Sequence, residues 1–147
     1  MTRSPPDASG EPLDDHVGVA LRRAYLHALA NLSSRIAQHE ITPLQFSVLV
    51  RLHDHGPWTQ NSLGRSMSME SANIAALIQR LLERGLVSRE PEPGDRRAVR
   101  ISITPSGVAV LAAARADADA ANAQTLSVLE PAEREQLMAL LRRLAAG

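Results

Sequence analysis

The chemistry open to this chain is narrowed first by what its 147 residues lack. There is no cysteine, which removes thiolate nucleophiles, thiolate zinc sites, disulfides and thiol redox sensing. The five histidines form no His-Glu-x-x-His pattern, and His53-x-His55 cannot share one face of a helix. No nucleophile–base pair, paired carboxylates or phosphate-binding glycine loop is readable, so neither an enzyme nor a metal centre nor a cofactor is expected. What remains is a set of hydrogen-bond donors. All sixteen basic residues are arginine, whose planar fork pairs bidentately with phosphate and with guanine. Seven of these arginines fall between residues 58 and 104 against five acids, in a chain whose net charge is zero. That asymmetry is weak by itself.

Such donors act on nucleic acid only if an element presents them, and the middle of the chain has the periodicity to do so. Thr59 is placed to cap a short helix over about 60–66, a turn follows at 67–69, and a longer helix runs over about 70–84. Its apolar stripe is Ile74, Leu77, Ile78 and Leu81. At about 100° per residue the opposite face carries Ala72, Ala76, Gln79 and Glu83, flanked by Asn73, Ala75 and Arg80, with Ser71 near the start. Asn73 and Gln79 suit adenine, the alanines suit thymine methyls, and Arg80 suits phosphate unless Glu83 captures it. Gln60, Asn61 and Ser62 open the short helix, where they either take a phosphate or only cap. Gly85 and Leu86 close the longer helix. The period then changes from 3.6 to 2: a strand over 86–90, a Pro-Glu-Pro-Gly-Asp turn, and a strand in which Val99, Ile101 and Ile103 alternate with polar residues. The hairpin tip carries Asp95, Arg96 and Arg97. Asp95 and Arg97 are expected to pair, leaving Arg96 or Arg97 for the DNA backbone or the minor groove.

The flanks are helical. Residues 1–12 are rich in proline, glycine and small polar residues and read as a disordered tail. A helix over 14–39 places Val17, Leu21, Ala24, Ala28 and Leu32 at helical spacing. A second starts at Thr42-Pro43, with Leu44, Val48, Leu49 and Leu52 inward, and stops near His55-Gly56-Pro57. A long alanine-rich helix follows Thr104-Pro105, and a last one begins at Pro131 with Leu137, Leu140, Leu141 and Leu144 on one side. Together these describe a mainly α, α+β winged helix-turn-helix with a two-stranded β wing and long helices at both ends. The start is polar, not a charged-then-apolar leader, and no stretch approaches the ~20 apolar residues of a membrane span, so cytoplasmic residence without a membrane partner is expected.

The run from Leu63 to Gly107 resembles the DNA-binding core of the MarR family. The resemblance is carried by Leu81 through Leu86 with Arg84-Gly85, by Asp95-Arg96-Arg97 after Pro-x-Pro-Gly, and by Ile103-Thr104-Pro105-x-Gly107; Ile41 to Leu52 also resembles the family's second helix. It covers residues 14–144. It implies a homodimer held by residues 13–40 and 105–147, a DNA-binding part at 41–104, and a domain spanning 13–147. It implies a repressor that grips double-stranded, pseudo-palindromic operator DNA and releases it when a small aromatic or phenolic acid binds between the two parts. Two departures stand out: Ala76 replaces a basic residue common in the family, and Glu70 replaces a serine or aspartate cap. A winged-helix protein-interaction module without DNA binding is the competing expectation, favoured by the neutral charge and the alanine-rich face.

For an anionic effector, His16, Arg23 and His27 share one side of the first helix and have the right chemistry; a solvated helix face or a dimer contact is the simpler explanation. Phe46 and Trp58 are the aromatic candidates for a pocket, although Phe46 also fits a core and Trp58 the junction before the helix-turn-helix.

Overall fold

Hydroxyl–proline and acid–proline pairs set where the helices begin. Thr42 Oγ1 accepts from the Gln45 amide at 3.2 Å while Gln45 Oε1 accepts from the Thr42 amide at 3.0 Å, a reciprocal capping box. Thr104 caps Gly107 ahead of Pro105, and Glu130 with Glu133 builds a second box ahead of Pro131. The computed structural model describes residues 8–147. Its elements are α1 (Val17–Ile36), α2 (Pro43–His55), β1 (Trp58–Thr59), α3 (Gln60–Ser66), α4 (Ser71–Glu83), β2 (Val87–Glu92), β3 (Asp95–Ile103), α5 (Pro105–Leu126) and α6 (Pro131–Ala146). Of the tail expected over 1–12, residues 1–7 lie outside the described residues. The helix expected over 14–39 is α1 with a tight 3-10 turn at each end, Leu13–Asp15 and Ala37–His39.

The helix-turn-helix and wing form one layered unit. The buried stripe of α4 is Ile74, Leu77, Ile78 and Leu81, as the spacing predicts, and it meets Leu63 of α3, Val48, Leu49 and Leu52 of α2, and Ile101 of β3. Each such side chain contributes roughly 1.5–3 kcal/mol by leaving water. Gly85 ends α4 at φ +69, a conformation open to glycine. Its amide bonds Leu82 O and the Leu86 amide bonds Leu81 O, the two bonds of a Schellman cap. Leu86 is thereby buried and β2 starts in register.

The sheet has three antiparallel strands in the order β1-β3-β2, one more than the two-stranded wing expected. β1 is two residues long, too short for alternation to announce it; Trp58 pairs with Ile101 and Thr59 with Arg100. β2 and β3 pair from Val87↔Ile103 to Pro91↔Val99, with an irregularity between Pro91 and Glu92. The wing strand therefore runs past Glu90, and the bulge lets a proline sit within the ladder.

Leu111, Ala114 and Ala121 of α5 are buried, and α5 packs along α1, so the alanine run does bring two helices close. Leu44 corrects the sequence reading: it is 45% exposed, while Gln45 takes the inward position beside Val48, Leu49 and Leu52. The capping box turns Gln45 in toward the Thr42 amide and leaves Leu44 at the lip of the groove between α1 and α2. Val17 and Leu21 of the α1 stripe are exposed in the single chain, and no residue of α6 is buried, with Leu140 and Leu144 largely in solvent.

The turn into α5 depends on a close approach. A Cβ on Gly107 would collide with the Leu86 carbonyl oxygen and stand 2.7 Å from Ile103 Cγ1. Gly107→Ala should therefore lose roughly 1–3 kcal/mol, the usual cost of overpacking, because backbone blocks the space. Chemical denaturation checks this; an unchanged midpoint would show that the α5 start can shift freely.

Candidate nucleic-acid interface

Burying one stripe of α4 against α2, α3 and β3 decides what the other side shows. Ser71, Ala72, Asn73, Ala76, Gln79, Arg80 and Glu83 are all exposed. Glu70 stands at the N-cap without capping, so no side chain covers the first amides of the helix. The expected competition of Glu83 for Arg80 is resolved differently: Gln79 Nε2 reaches Glu83 Oε1 at 3.4 Å, and Arg80 has no ion pair among the described residues. A spacing of four aligns Gln79 with Glu83 better than a spacing of three aligns Arg80.

The wing also differs in detail. Asp95 and Arg97 do not form a salt bridge; Asp95 Oδ1 accepts from the Arg97 backbone amide at 2.9 Å. The carboxylate shapes the turn as an Asx residue does, and the Arg97 guanidinium is left exposed. The side chain of Arg96 lies outside the described residues. At the start of α3, Ser62 is held as part of the cap: its amide bonds Thr59 Oγ1 at 3.2 Å and its hydroxyl receives Thr59 Oγ1 at 2.9 Å. Arg65, which sequence reading passed over, donates to the same Ser62 hydroxyl at 3.1 Å. The i, i+3 spacing on a short helix was the available signal. Gln60 is half-buried at the same end of α3.

The expected effector residues are not gathered into one site within the chain. Arg23 pairs with Asp14 at 2.8 Å on the surface, and His16 and His27 are exposed. Phe46 packs against the core, and Trp58 lies against His55, ring centres 5.7 Å apart. The apolar hollows of α1 lie one face further round. One of about 240 Å³ is lined by Tyr25, Leu29 and Leu32 with Leu44 of α2 and Ala118 and Asn122 of α5. A second, of about 510 Å³, shares Tyr25, Leu29 and Leu44 and reaches Leu77 and Arg80 of α4. Among the described residues Arg80 is the one charged residue lining either hollow. Tyr25 and Leu44 were thus missed as lining residues, because only the crossing of α1 over α2 brings them together.

Two carboxylates fasten α5 to its neighbours, one to the turn that follows α1 and one to α2. Asp117 of α5 accepts from Gln38 Nε2 and meets His39 Nε2, each at 2.7 Å. Asp54, near the end of α2, meets His53 Nδ1 at 2.8 Å and accepts from Arg115 of α5 at 3.0 Å. The hydrogen bond from His39 holds the Asp117 carboxyl below its usual range against opposing desolvation, with Gln38 helping. The bond from His53, then Arg115, does the same for Asp54. Among the described residues no group of histidines and acids could hold a metal ion, and no helix is long and apolar enough to cross a membrane.

The lowered carboxyl values set the sign of an acid effect. A group more acidic in the folded than in the unfolded state adds stability above its unfolded pKa and loses it as pH falls through the folded value. Melting temperatures followed downward from neutral pH should therefore drop through the carboxylate range, and Asp117→Asn should flatten part of that drop. If the variant and the parent lose stability in parallel, the tether to His39 contributes nothing.

Comparison with known proteins agrees with this geometry. The model of the MarR family matches residues 41–99. The transcriptional repressor NicR of Pseudomonas putida is 33% identical over 141 residues, covering 96% of this chain and 89% of that protein. A probable transcriptional regulator from Pseudomonas aeruginosa is 40% identical, with a TM-score of 0.84 over 90% of this chain and 99% of that one. Bordetella bronchiseptica BpsR, whose DNA binding is regulated by 6-hydroxynicotinic acid, is 30% identical with a TM-score of 0.88, over 95% and 99% of the two chains. These are DNA-binding regulators rather than enzymes. The chain belongs to the MarR family of winged helix-turn-helix transcriptional regulators.

Proposed function

We propose that this protein is a cytoplasmic, homodimeric repressor that binds a pseudo-palindromic operator and is released by a small aromatic acid. The observation that carries the reading is the exposed side of α4, a strip of small and amide side chains flanked by a free arginine and followed by an arginine-bearing wing. In the major groove, Asn73 and Gln79 read adenine edges and Ala72 and Ala76 lie against thymine methyls. Ser71 and Arg80 take backbone phosphates, and Arg97, with Arg96, reaches the backbone or the minor groove beyond. Asp95 shapes the wing that carries them.

The dimer reading is supported by where apolar surface remains uncovered. Leu13, Val17 and Leu21 at one end of the chain and Val128, Met138, Leu140 and Leu144 at the other are exposed. A helix with no buried residue, as α6 is, gains little stability on its own and fits a partner's surface. A second copy supplies that surface and places two α4 helices one helical turn, about 10 bp, apart.

The effector reading moves from the histidines to the hollows along α1, α2 and α5. Their walls are apolar, and Arg80 supplies a cation for a carboxylate at the rim. The regulation of BpsR by 6-hydroxynicotinic acid is consistent with an aromatic acid of that size.

Selection from a random duplex pool, followed by binding titrations, tests the DNA reading. Asn73→Ala should relax preference at one position per half-site, costing about 1–3 kcal/mol there, while Arg97→Ala should weaken all duplexes alike and lower the salt slope by about 1. A protein that prefers no duplex even in dilute salt overturns the reading in favour of a protein-interaction module. For the effector, aromatic carboxylates should raise the melting temperature, by the equivalent of about 2.7 kcal/mol at a hundredfold excess over Kd. Leu29→Trp, which fills the hollow, should abolish that rise; the same rise in the variant would place the acid elsewhere.

A further inference from the structure

We propose that Arg65 and Arg97 close on a single phosphodiester of the duplex backbone, in a slot between α3 and the wing strand β3. The inference rests on the DNA-binding reading above and adds a contact to it. A hollow of about 330 Å³ lies where α3 meets β3, with Gln60, Asn61 and Arg65 on one side and Arg97, Ala98 and Val99 on the other. Among the described residues two guanidinium groups and two amide side chains border it, and no carboxylate does. Among the described residues neither arginine has an ion pair. Two like charges beside one hollow repel each other until an anion enters, and a planar fork from each side matches the oxygens of a phosphate.

Both arginines are held from behind. The Ser62 hydroxyl that receives Arg65 is itself fixed by Thr59, through the cap on the Ser62 amide and the hydroxyl–hydroxyl bond. One guanidinium nitrogen of Arg65 is thus engaged at 3.1 Å, and the others remain for a ligand. The backbone of Arg97 is pinned by Asp95 at 2.9 Å, which leaves its side chain exposed. The pinning lowers the entropy cost of gripping an anion.

The site suits a phosphodiester better than an aromatic acid. Among the described residues its lining has no aromatic ring and little apolar wall, unlike the hollows against α1. It is built from α3 and the wing strand, and α4 packs against both α3 and β2. The seam and α4 thus belong to one packed unit, and the proposed phosphodiester belongs to a strand bordering the groove that α4 enters. Glu92 lies in the adjoining depression with Trp58 and Arg100; Arg65 borders that depression too, but among the described residues it forms no ion pair with Glu92.

The test uses the full chain and compares Arg65→Gln, Arg65→Lys, Arg97→Gln and the Arg65→Gln/Arg97→Gln pair with the parent. Affinity is measured against salt for a selected duplex and for an unrelated one. A phosphate contact contributes about 0.9 to the slope of log K on log salt. Arg65→Gln should therefore weaken both duplexes by the same factor, roughly five- to tenfold near 0.1 M salt, and reduce the slope by about 1 with sequence preference unchanged. Arg65→Lys should keep the slope. The double variant should lose less than the two single losses combined, because both side chains serve one phosphate. Unchanged slope and affinity in Arg65→Gln, with a melting curve like the parent's, overturns the slot. Losses that combine fully overturn the shared phosphate. If millimolar inorganic phosphate raises the melting temperature of the parent but Arg65→Gln leaves duplex binding intact, the slot takes a free anion and the duplex assignment fails. A parent that binds no duplex fails the DNA-binding reading itself, before any variant is compared.

Discussion

The fold turns on the burial of one helical stripe. Ile74, Leu77, Ile78 and Leu81 leave water together, against Leu49, Leu63 and Ile101 from three other elements. A helix that commits four large side chains to a core has no rotational freedom left, so Ala72, Asn73, Ala76 and Gln79 must face outward. The Schellman cap at Gly85 then carries the chain directly into β2, which fixes the wing relative to α4 by two backbone hydrogen bonds. Presentation of the reading face and of the arginine tip thus follows from the same packing event.

A second layer of organisation joins this unit to the long helices. Leu111 and Ala114 of α5 share the apolar core with α2 and α4, Arg115 bonds Asp54 of α2, and polar pairs fasten α5 to α1 and the turn after it: Asp117 with Gln38 and His39, Asn31 with Thr125 at 2.9 Å, and Arg35 with Gln124 at 3.0 Å. Several are exposed, where each is worth little alone. Their directional geometry nonetheless fixes how α5 runs past the ends of α1 and α2. The apolar hollows lie along this seam, so a molecule that wedges into them would push on the joint between the two parts.

Arg80 sits on both sides of that relation. It is exposed on α4, and it lines the larger hollow with Leu44 and Leu77. Under the proposed function, a backbone phosphate and an effector carboxylate would draw on the same five N–H donors. On that proposal the two binding events would be coupled through the orientation of one side chain, without a large rearrangement.

The sequence by itself determined the order of the helices, the buried stripe of α4, its exposed face, the caps at Thr42, Thr59 and Thr104, and the hairpin. Each of these follows from local spacing or from backbone preferences of nearby residues, which a single chain states in its own order. Tertiary structure decided the rest. Leu44 faces a groove because Gln45 folds back on Thr42, Asp95 bonds a backbone amide instead of a guanidinium, and β1 exists only because β3 is beside it. The hollow bordered by Tyr25 and Arg80, and the slot between Arg65 and Arg97, unite residues more than thirty positions apart. No periodicity reports a distance between elements; that distance is set by how side-chain volumes fill the core between them.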